Sequence, residues 1–354
     1  MARYLGGLLT ADESQVLPSD NYEDTSGNAI FTSDEQYLLN KSNLWPTPGN
    51  VNPSDRGIFM AGIYTTGSYP NADRMDFVSI SSTGNATNFG DYSNFAAYIA
   101  TASSTTRGIG AGGRLQASGD LNVISYITIA SAGNATDFGD LQRAKQRLGG
   151  GSNATVGVFY GGYWSAGGVG INEIDKITIA STGNATDFND MATERYSHAT
   201  FSSSTRGISF GGYDEDSTQL LNSIEFSLFA SSGSATDFGD LTTATGLLTG
   251  LSSATRGVIV GGQTSGGKTD TMEYVTMASA GNATDFGNLA ASTNQQAGTS
   301  NATRGLIGGG DTGSIINVLQ YITIASTGDT TDFGDLTTGR KALGALSGAH
   351  GGLQ

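Results

Sequence analysis

The sequence predicts an all-β fold, a six-bladed β-propeller built from four-stranded antiparallel blades. Two phrases that recur in step carry this prediction. The first is close to Ala-Ser-Thr-Gly-Asn-Ala-Thr-Asp-Phe-Gly-Asp-Leu and returns at a period of about 50 residues, which is typical of propeller blades. The second is Arg-Gly, an apolar alternation and then Gly-Gly. The first phrase occurs six times, and its glycines are Gly84, Gly133, Gly183, Gly233, Gly281 and Gly328.

Each repeat carries the signals of four short strands, and the copy that starts at Arg206 illustrates them. Apolar residues alternate at 208–210, before a double glycine, and residues 224–229 are mostly β-branched or aromatic, as strands prefer. A turn with a glycine separates them from a third strand at 235–241. A fourth strand is expected at 246–251, and four antiparallel strands make one blade.

The two ends of the repeat array predict how the ring closes. The first blade begins with the strand 57–62 and has no inner strand before it. The C-terminal segment 340–346 occupies the fourth-strand position after the last Asp-Phe-Gly-Asp and has no following blade. Because an open ring leaves unpaired strand edges, we expect this segment to complete the first blade. The propeller is therefore expected to span residues 55–354.

Composition excludes several classes of function. The chain has 17 Lys and Arg against 32 Asp and Glu, a net charge of −15, which opposes binding to nucleic acid or to anionic lipid. It has no cysteine, so disulfides and thiolate metal sites are excluded. No apolar stretch reaches the roughly 18 residues of a membrane span, and the N-terminus lacks a signal-peptide layout. We expect no cofactor, no metal and no membrane insertion.

The repeated residues have structural interpretations that outweigh functional ones. The Asn-Ala-Thr tripeptides match the glycosylation pattern but fall at tight turns, which favour Asn. The phenylalanine of Asp-Phe-Gly-Asp is expected in the core, while calcium binding by the aspartates stays open as an alternative. The arginines that open the second phrase are expected to bridge to carboxylates such as Asp140, Asp190 or Asp240. These arginines are Arg56, Arg107, Arg206, Arg256 and Arg304.

The chain offers little for catalysis. Its histidines are His198 and His350, and His198 is expected in an inner strand, with a structural or channel-lining role. Loop carboxylates such as Glu173 and Asp214 are not spaced so that one is singled out as an acid and another as a base. We therefore expect no enzymatic activity, with glycan cleavage kept as a minor alternative.

One face of the propeller is predicted to carry the binding residues. The loop after each Gly-Gly and the link to the next blade are expected on this face, and the loops differ in every blade, whereas the opposite turns are nearly identical. Binding residues usually lie on loops held by a rigid scaffold, and Tyr and Trp are favoured anchors. The candidate ligand- or partner-binding residues are Tyr64, Tyr69, Arg114, Tyr163, Trp164, Tyr213 and Asp214.

Residues 1–54 lie outside the repeats and are expected to form an extended N-terminal arm. The segment is polar and acidic with a few apolar islands, so it has little to bury by itself. We expect it to attach the chain to another protein or to the propeller edge. Its candidate contacts are Tyr4, Leu8, Leu9, Tyr37, Leu38 and Trp45.

The order of strand signals resembles the kelch repeat. In that family one strand ends in Gly-Gly, the next carries a Tyr, and the third carries an aromatic residue that is usually Trp. Here Tyr126, Tyr274 and Tyr321 match the strand tyrosine, and a Phe replaces the Trp. The arginine that opens the family's innermost strand has counterparts at Arg143, Arg195 and Arg340. The resemblance covers residues 55–350 and implies a kelch-like propeller.

The repeat sequence is also similar to repeats in virion structural proteins of marine tailed phages of the cyanophage type. The part that carries this similarity is Ile-Thr-Ile-Ala-Ser-Thr-Gly-Asn-Ala-Thr-Asp-Phe-Gly-Asp-Leu. This resemblance implies a multi-copy virion component of the tail, baseplate, fibre or capsid decoration. Other virion proteins would be its partners, together with a host-surface glycan or protein. A free lectin-like carbohydrate-binding module is the alternative.

Overall fold

The computed structural model describes residues 3–5, 8–10, 55–64, 73–92, 95–115, 119–214 and 219–349. By its internal contacts the chain divides into two units, residues 1–52 and 53–354. In the first unit Arg3–Leu5 pairs antiparallel with Leu8–Thr10, which places Tyr4 opposite Leu9. Of the predicted contact residues, Tyr37, Leu38, Trp45 and Tyr69 lie outside the described residues, as does His350.

Within the described part of the second unit the strands form six four-stranded antiparallel sheets, each of which is one propeller blade. We name the four strands of a blade inner, second, third and outer. In this order blade 1 consists of Gly344–Ser347, Arg56–Met60, Arg74–Ser79 and Thr87–Asp91; blade 2 of Ala100–Ser103, Arg107–Ala111, Val123–Thr128 and Thr136–Asp140; blade 3 of Gly149–Ser152, Val156–Trp164, Val169–Thr178 and Thr186–Asp190; blade 4 of Ala199–Ser202, Arg206–Phe210, Ser223–Leu228 and Thr236–Asp240; blade 5 of Thr249–Ser252, Arg256–Thr264, Gly267–Thr276 and Thr284–Asn288; and blade 6 of Ala297–Ser300, Arg304–Gly308, Val318–Thr323 and Thr331–Asp335.

The ring closes as the sequence predicts. The C-terminal strand Gly344–Ser347 pairs with Arg56–Met60, with Gly57 opposite Ser347 and Met60 opposite Gly344. The last strand of the chain is therefore the inner strand of the first blade. Every other inner strand follows the outer strand of the preceding blade through a short link, so the sequence repeat and the blade are offset by one strand.

A ladder of side chains crosses five of the blades. An arginine at the start of the second strand lies over an aromatic ring of the third strand, 4.3–5.0 Å from its centroid. That ring meets the outer-strand phenylalanine edge to face, with centroids 5.9–6.1 Å apart. Blade 3 has Val156 at the arginine position, and Lys176 lies over Phe188 instead. The outer-strand phenylalanines are buried, which confirms their predicted core role.

Four of these arginines tie neighbouring blades together, and for these four the predicted carboxylate bridges are wrong. Arg107 donates from Nη1 to the backbone carbonyl of Ile179 in the next blade, at 2.8 Å. Arg56, Arg256 and Arg304 donate to the equivalent carbonyls of Ile129, Ile324 and Ile80 at 2.9–3.0 Å. Each of these four guanidinium groups lies over an aromatic face and donates to a carbonyl oxygen, and among the described residues none forms an ion pair with an aspartate of an outer strand.

The Asp-Phe-Gly-Asp and Gly-Asn-Ala-Thr phrases meet across the blade boundaries. Gly133 donates its N–H to the carbonyl of Phe89, and the Asn134 side chain accepts the N–H of Asp91 at 3.0 Å. Gly90 lies so close to this turn that a Cβ atom there would be 2.3 Å from the carbonyl oxygen of Gly133. The asparagine of the turn therefore has the backbone role that the sequence favours, and the glycine is needed for close contact between blades.

Two rings of hydrogen bonds surround the central axis. The last serine of each inner strand donates its hydroxyl to the carbonyl of the corresponding serine in the neighbouring blade, at 2.5–2.9 Å. The ring is closed because it includes Ser347 of the C-terminal strand. Its members are Ser103, Ser152, Ser202, Ser252, Ser300 and Ser347.

The second ring lies at the other end of the inner strands. Two residues before each inner strand, a non-glycine residue adopts a positive φ of 52–59°. In this conformation its N–H bonds to the carbonyl of the equivalent residue of the preceding blade, at 2.8–3.0 Å. The left-handed conformation costs about 1 kcal/mol per residue, which the hydrogen bonds offset. The ring consists of Tyr98, Arg147, Ser197, Leu247, Gln295 and Ala342.

Candidate functional site on the link face

The loops that follow Gly-Gly and the links between blades lie on the same face, as predicted, and we call it the link face. Each loop pairs with the link that precedes the inner strand of its blade: Tyr163 bridges to Gln146, and Asp311 bridges to Asn294. In blade 4 this contact becomes a two-residue strand pair, Arg195–Tyr196 with Tyr213–Asp214. Loop side chains from one blade therefore lie beside link side chains, and together they form a continuous surface.

Three tyrosines from blades 3 and 4 stack on this face, and we call Tyr163, Tyr196 and Tyr213 the tyrosine cluster. Tyr196 and Tyr213 are directly opposed in the strand pair, and their rings stack with centroids 5.5 Å apart and an interplanar angle of 18°. Tyr163 meets Tyr196 edge to face at 5.2 Å. All three side chains are half-buried, so each ring is held by its neighbours while part of it faces solvent.

A guanidinium group extends the tyrosine cluster toward the central axis. Arg147 lies over the ring of Tyr98, 4.7 Å from its centroid, and both residues line a cavity of about 90 Å³ around the axis. Burial raises the pKa of Tyr213, and the positive charge of Arg147 offsets part of that increase. Tyr213 is thus a neutral hydroxyl at physiological pH. The site combines stacked aromatic faces, phenol hydroxyls and one cation.

The hairpin of blade 3 supports one edge of the cluster. Arg143 lies 4.7 Å above the Trp164 ring and forms an ion pair of 2.5 Å with Glu173. Gly167 also lies against the Trp164 ring, because a Cβ at that position would be 2.2 Å from it. Trp164 is therefore packed within its own hairpin. Trp164 mainly stabilises the hairpin, and its ring is only partly available to a binding partner.

The hairpin is also fixed from the neighbouring blade. Asp120 accepts the N–H of Ser165 at 2.7 Å and its hydroxyl at 2.8 Å. Gln146 donates from its side-chain nitrogen to the same carboxylate at 3.0 Å. The segment that carries Tyr163 is therefore held on both sides.

The structure brings together some of the predicted binding residues and separates others. Tyr163, Trp164, Tyr213 and Asp214 belong to the surface of blades 3 and 4. Tyr64 lies on blade 1, where burial raises its pKa and the nearby Arg340 partly offsets the rise. Arg114 is exposed in the loop of blade 2, in the short strand Arg114–Leu115 that pairs with Gly119–Asp120.

Sequence reasoning missed Tyr98, Arg147 and Tyr196, which lie in the links. The prediction placed binding residues in the loops after Gly-Gly, yet the links share the same face. One signal was available: the position two residues before each inner strand varies from blade to blade. It is occupied by Tyr98, Arg147, Ser197, Leu247, Gln295 and Ala342.

The axis itself holds a narrow channel of about 170 Å³ between the inner strands. Its wall is made largely of Ser, Thr, Gly and Ala, and it includes the buried His198. Burial, together with the charges of Arg195 and Lys145, lowers the pKa of His198 to about 3, so the imidazole is neutral. Among the described residues neither of its nitrogens has a hydrogen-bond partner.

Beneath the link face, three blades contain a buried ion pair between a link and a third strand. Arg340 meets Asp76 at 2.7 Å, Arg195 meets Glu225 at 2.5 Å, and Lys145 meets Asp175 at 3.0 Å. Of the three arginines predicted as counterparts of the kelch arginine, Arg195 and Arg340 form such buried pairs. Arg143 is not their equivalent, because Lys145 occupies that position and Arg143 is partly exposed.

Within the described residues, no three or more His, Cys, Asp or Glu side chains come together in a group able to hold a metal ion. The same part of the chain contains no helix of the length and apolar character that a bilayer crossing requires. Compared with models of known protein families and with curated protein sequences, the chain matches none. The geometry of the link face is therefore the basis on which function is proposed.

Proposed function

We propose that this protein is a non-enzymatic virion structural protein of a tailed phage. In this proposal residues 1–54 attach the chain to other virion proteins in the tail, baseplate, fibre or capsid decoration, and the propeller displays its link face. The tyrosine cluster with Arg147 is the observation that carries the binding role. The similarity of the repeat wording to marine phage virion proteins supports the location in a particle.

The tyrosine cluster suits a partner with an apolar surface and hydroxyl groups, such as a glycan or a protein loop. Tyrosine rings provide a rigid contact surface with a hydrogen-bonding tip, and they are enriched among residues that dominate binding energy. Here the rings are already positioned by their mutual stacking, at centroid distances of 5.2 and 5.5 Å. Pre-positioned rings lose little conformational entropy when a partner binds.

The propeller supports display because its scaffold is closed and its variable residues are confined to one face. Both hydrogen-bond rings run through all six blades, so each blade is fixed to two neighbours. Loops on such a scaffold can differ without changing the fold. A particle component that displays a binding face in many copies needs such a rigid scaffold with variable loops.

Binding by the link face is tested with a glycan array and with binding to intact host cells. We expect the double variant Tyr196→Ser/Tyr213→Ser to lose about tenfold or more in affinity, because two central aromatic anchors are removed. Leu228→Ser, which removes an exposed apolar side chain at the far end of the third strand of blade 4, is the control and should bind as the wild type does. Equal binding by the double variant and the wild type would contradict the proposed site.

The virion role is tested by mass spectrometry of purified particles assembled with either the full chain or a chain lacking residues 1–54. We expect several copies of the full chain per particle and none of the shortened one. Glycan binding without incorporation of either chain would instead favour the lectin-like alternative. Sugar release by the purified protein would favour glycan cleavage and would overturn the non-enzymatic proposal.

A further inference from the structure

The buried ion pairs beneath the link face occupy equivalent positions in every blade. We call the link position the base position and the third-strand position the acid position. In blades 1 to 6 the base position is Arg340, Ala96, Lys145, Arg195, Thr245 and Thr293, and the acid position is Asp76, Ser125, Asp175, Glu225, Glu273 and Gln320. Charge is balanced in blades 1, 3 and 4, where an ion pair forms. It is also balanced in blades 2 and 6, where both positions are neutral.

Blade 5 alone combines a carboxylate with a neutral base position. Glu273 is only 6% exposed, and among the described residues it forms no ion pair. It accepts the N–H of Thr242 at 3.2 Å and also the Thr242 hydroxyl. Asp76 accepts the equivalent donors of Thr337 in blade 1 and additionally pairs with Arg340. Glu273 therefore has the surroundings of Asp76 without the basic side chain.

A cavity of about 50 Å³ lies beside Glu273, with Thr245 in its wall. In blades 1 and 4 the buried guanidinium donates to two backbone carbonyls besides the carboxylate, those of Ala61 and Arg74 in blade 1. The residues at these two positions in blade 5 are Gly261 and Thr271, and both line the cavity. The acceptor positions that hold a guanidinium in other blades thus surround this cavity.

The cavity is reachable from the link face and is rich in oxygen. Besides Glu273, its wall contains exposed Thr242 and Thr243 at the rim and the threonines of the blade 5 hairpin. A buried carboxylate is costly unless a cation or hydrogen-bond donors compensate it. Burial raises the pKa of Glu273, the hydrogen bonds from Thr242 lower it, and the charge of nearby Asp285 raises it; a cation in the cavity would stabilise the charged carboxylate.

We propose that this cavity binds a nitrogen cation, an ammonium or guanidinium group, which pairs with Glu273 as Lys145, Arg195 and Arg340 pair with their acids in the sister blades. The acceptors suit a cation that donates hydrogen bonds. A single carboxylate with hydroxyl and carbonyl groups lacks the several charged oxygens typical of a divalent metal site. The group comes from a free small cation or from a basic side chain of a partner. This site is separate from the tyrosine cluster and does not depend on the proposed function.

The first test measures thermal unfolding of the full chain at pH 7 and constant ionic strength in ammonium, methylammonium or tetramethylammonium chloride. We expect ammonium and methylammonium to raise Tm by about 1–2 °C relative to tetramethylammonium, which donates no hydrogen bond. Glu273→Gln should abolish the difference. A lysine derivative blocked at both ends distinguishes a side-chain ligand, which would stabilise at lower concentration than ammonium. The same Tm in all three salts would overturn the proposal.

The second test supplies the cation from the chain itself. Thr245→Arg should raise Tm and remove the response to ammonium, because the introduced guanidinium then occupies the cavity as its counterparts do in the sister blades. Thr293→Arg in blade 6 is the matched control and should lower Tm, since it faces the neutral Gln320. Adding Gln320→Glu to that variant should restore stability. A fall in Tm for Thr245→Arg equal to that for Thr293→Arg would contradict a cation site at Glu273.

Discussion

His198 shows how one residue can depart from the repeat without disturbing the fold. The equivalent positions in other blades are mostly aliphatic, among them Leu148, Leu248 and Leu343. The imidazole is buried near two cations, and its pKa is lowered to about 3. The unfolded chain therefore binds a proton below about pH 6.5 that the folded chain does not, and stability falls as the pH falls from 6.5 toward 3.

We predict that His198→Leu raises stability and reduces its dependence on pH. The leucine fits the aliphatic layer of its neighbours, and it removes a group that favours the unfolded state by roughly 1 kcal/mol per pH unit below 6.5. Urea unfolding at pH 7, 6, 5 and 4 measures the effect. The reverse change, Leu248→His in blade 5, should introduce the same loss at low pH. Parallel pH profiles for wild type and His198→Leu would count against this explanation.

We also predict opposite outcomes for two glycines at the boundary of blades 1 and 2. A Cβ at Gly90 would be 2.3 Å from the carbonyl oxygen of Gly133, at a φ of 150°, whereas a Cβ at Gly133 meets nothing within 4 Å. Gly90→Ala should cost about 2–4 kcal/mol because the two backbones must separate, while Gly133→Ala should stay within about 0.5 kcal/mol of wild type. Chemical denaturation of both variants provides the comparison, and similar losses would exclude the steric explanation.

At the scale of the strand, the second strand of blades 1, 2, 5 and 6 joins its own sheet to the next one. Its arginine covers an aromatic ring of the third strand and donates to a carbonyl beyond the blade boundary. Lys176 covers Phe188 in blade 3, where the arginine is replaced by Val156. The cation that lies over the aromatic ring thus comes from the second strand in five blades and from the third strand in blade 3.

We expect Arg107→Ala to lower the free energy of unfolding by about 1–3 kcal/mol. The change removes the hydrogen bond to Ile179 and the cation–π contact with Tyr126, and it leaves a carbonyl at the blade boundary without its donor. Arg107→Lys, which keeps the positive charge but loses the guanidinium plane, is the control for loss of charge alone. Urea denaturation measures both variants. Equal stability of Arg107→Ala and wild type would show that the arginine ladder does not hold the blades together.

At the scale of the whole propeller, stability depends on closure by the chain's last strand. Gly344–Ser347 provides the inner edge of blade 1 and one member of the serine ring. Its loss would leave an exposed strand edge in blade 1 and interrupt the ring at Ser300 and Ser103. Cooperativity of the six blades therefore depends on a contact between the two ends of the repeat array.

We predict that a chain ending at residue 343 aggregates or melts far below the wild type, because an unpaired edge and an unburied blade face are exposed. A chain ending at residue 349 retains the closing strand and should melt as the wild type does. Size-exclusion chromatography and thermal unfolding distinguish the two. A soluble, monomeric chain ending at 343 with unchanged Tm would refute closure as the source of stability.

The sequence alone determined the architecture, because local sequence patterns specify the strands and turns of each blade. Alternating apolar residues, turn glycines and one phenylalanine per outer strand recur about every 50 residues, and each is readable within a short window. The closing strand followed from counting, since one strand was missing at the start and one was left over at the end. The shared face of loops and links followed from the same order of strands.

Only the tertiary structure decided which side chains meet. Arg340 and Asp76 lie at opposite ends of the propeller sequence, and the tyrosine cluster joins residues of two blades, so no local pattern encodes these contacts. The predicted carboxylate partners of the arginines failed for this reason: the predicted aspartates lie on outer strands, while the carbonyl that accepts the bond belongs to the next blade. The sequence likewise does not show that Glu273 lacks a partner, because the basic side chains that pair with its equivalents in blades 1, 3 and 4 come from the links.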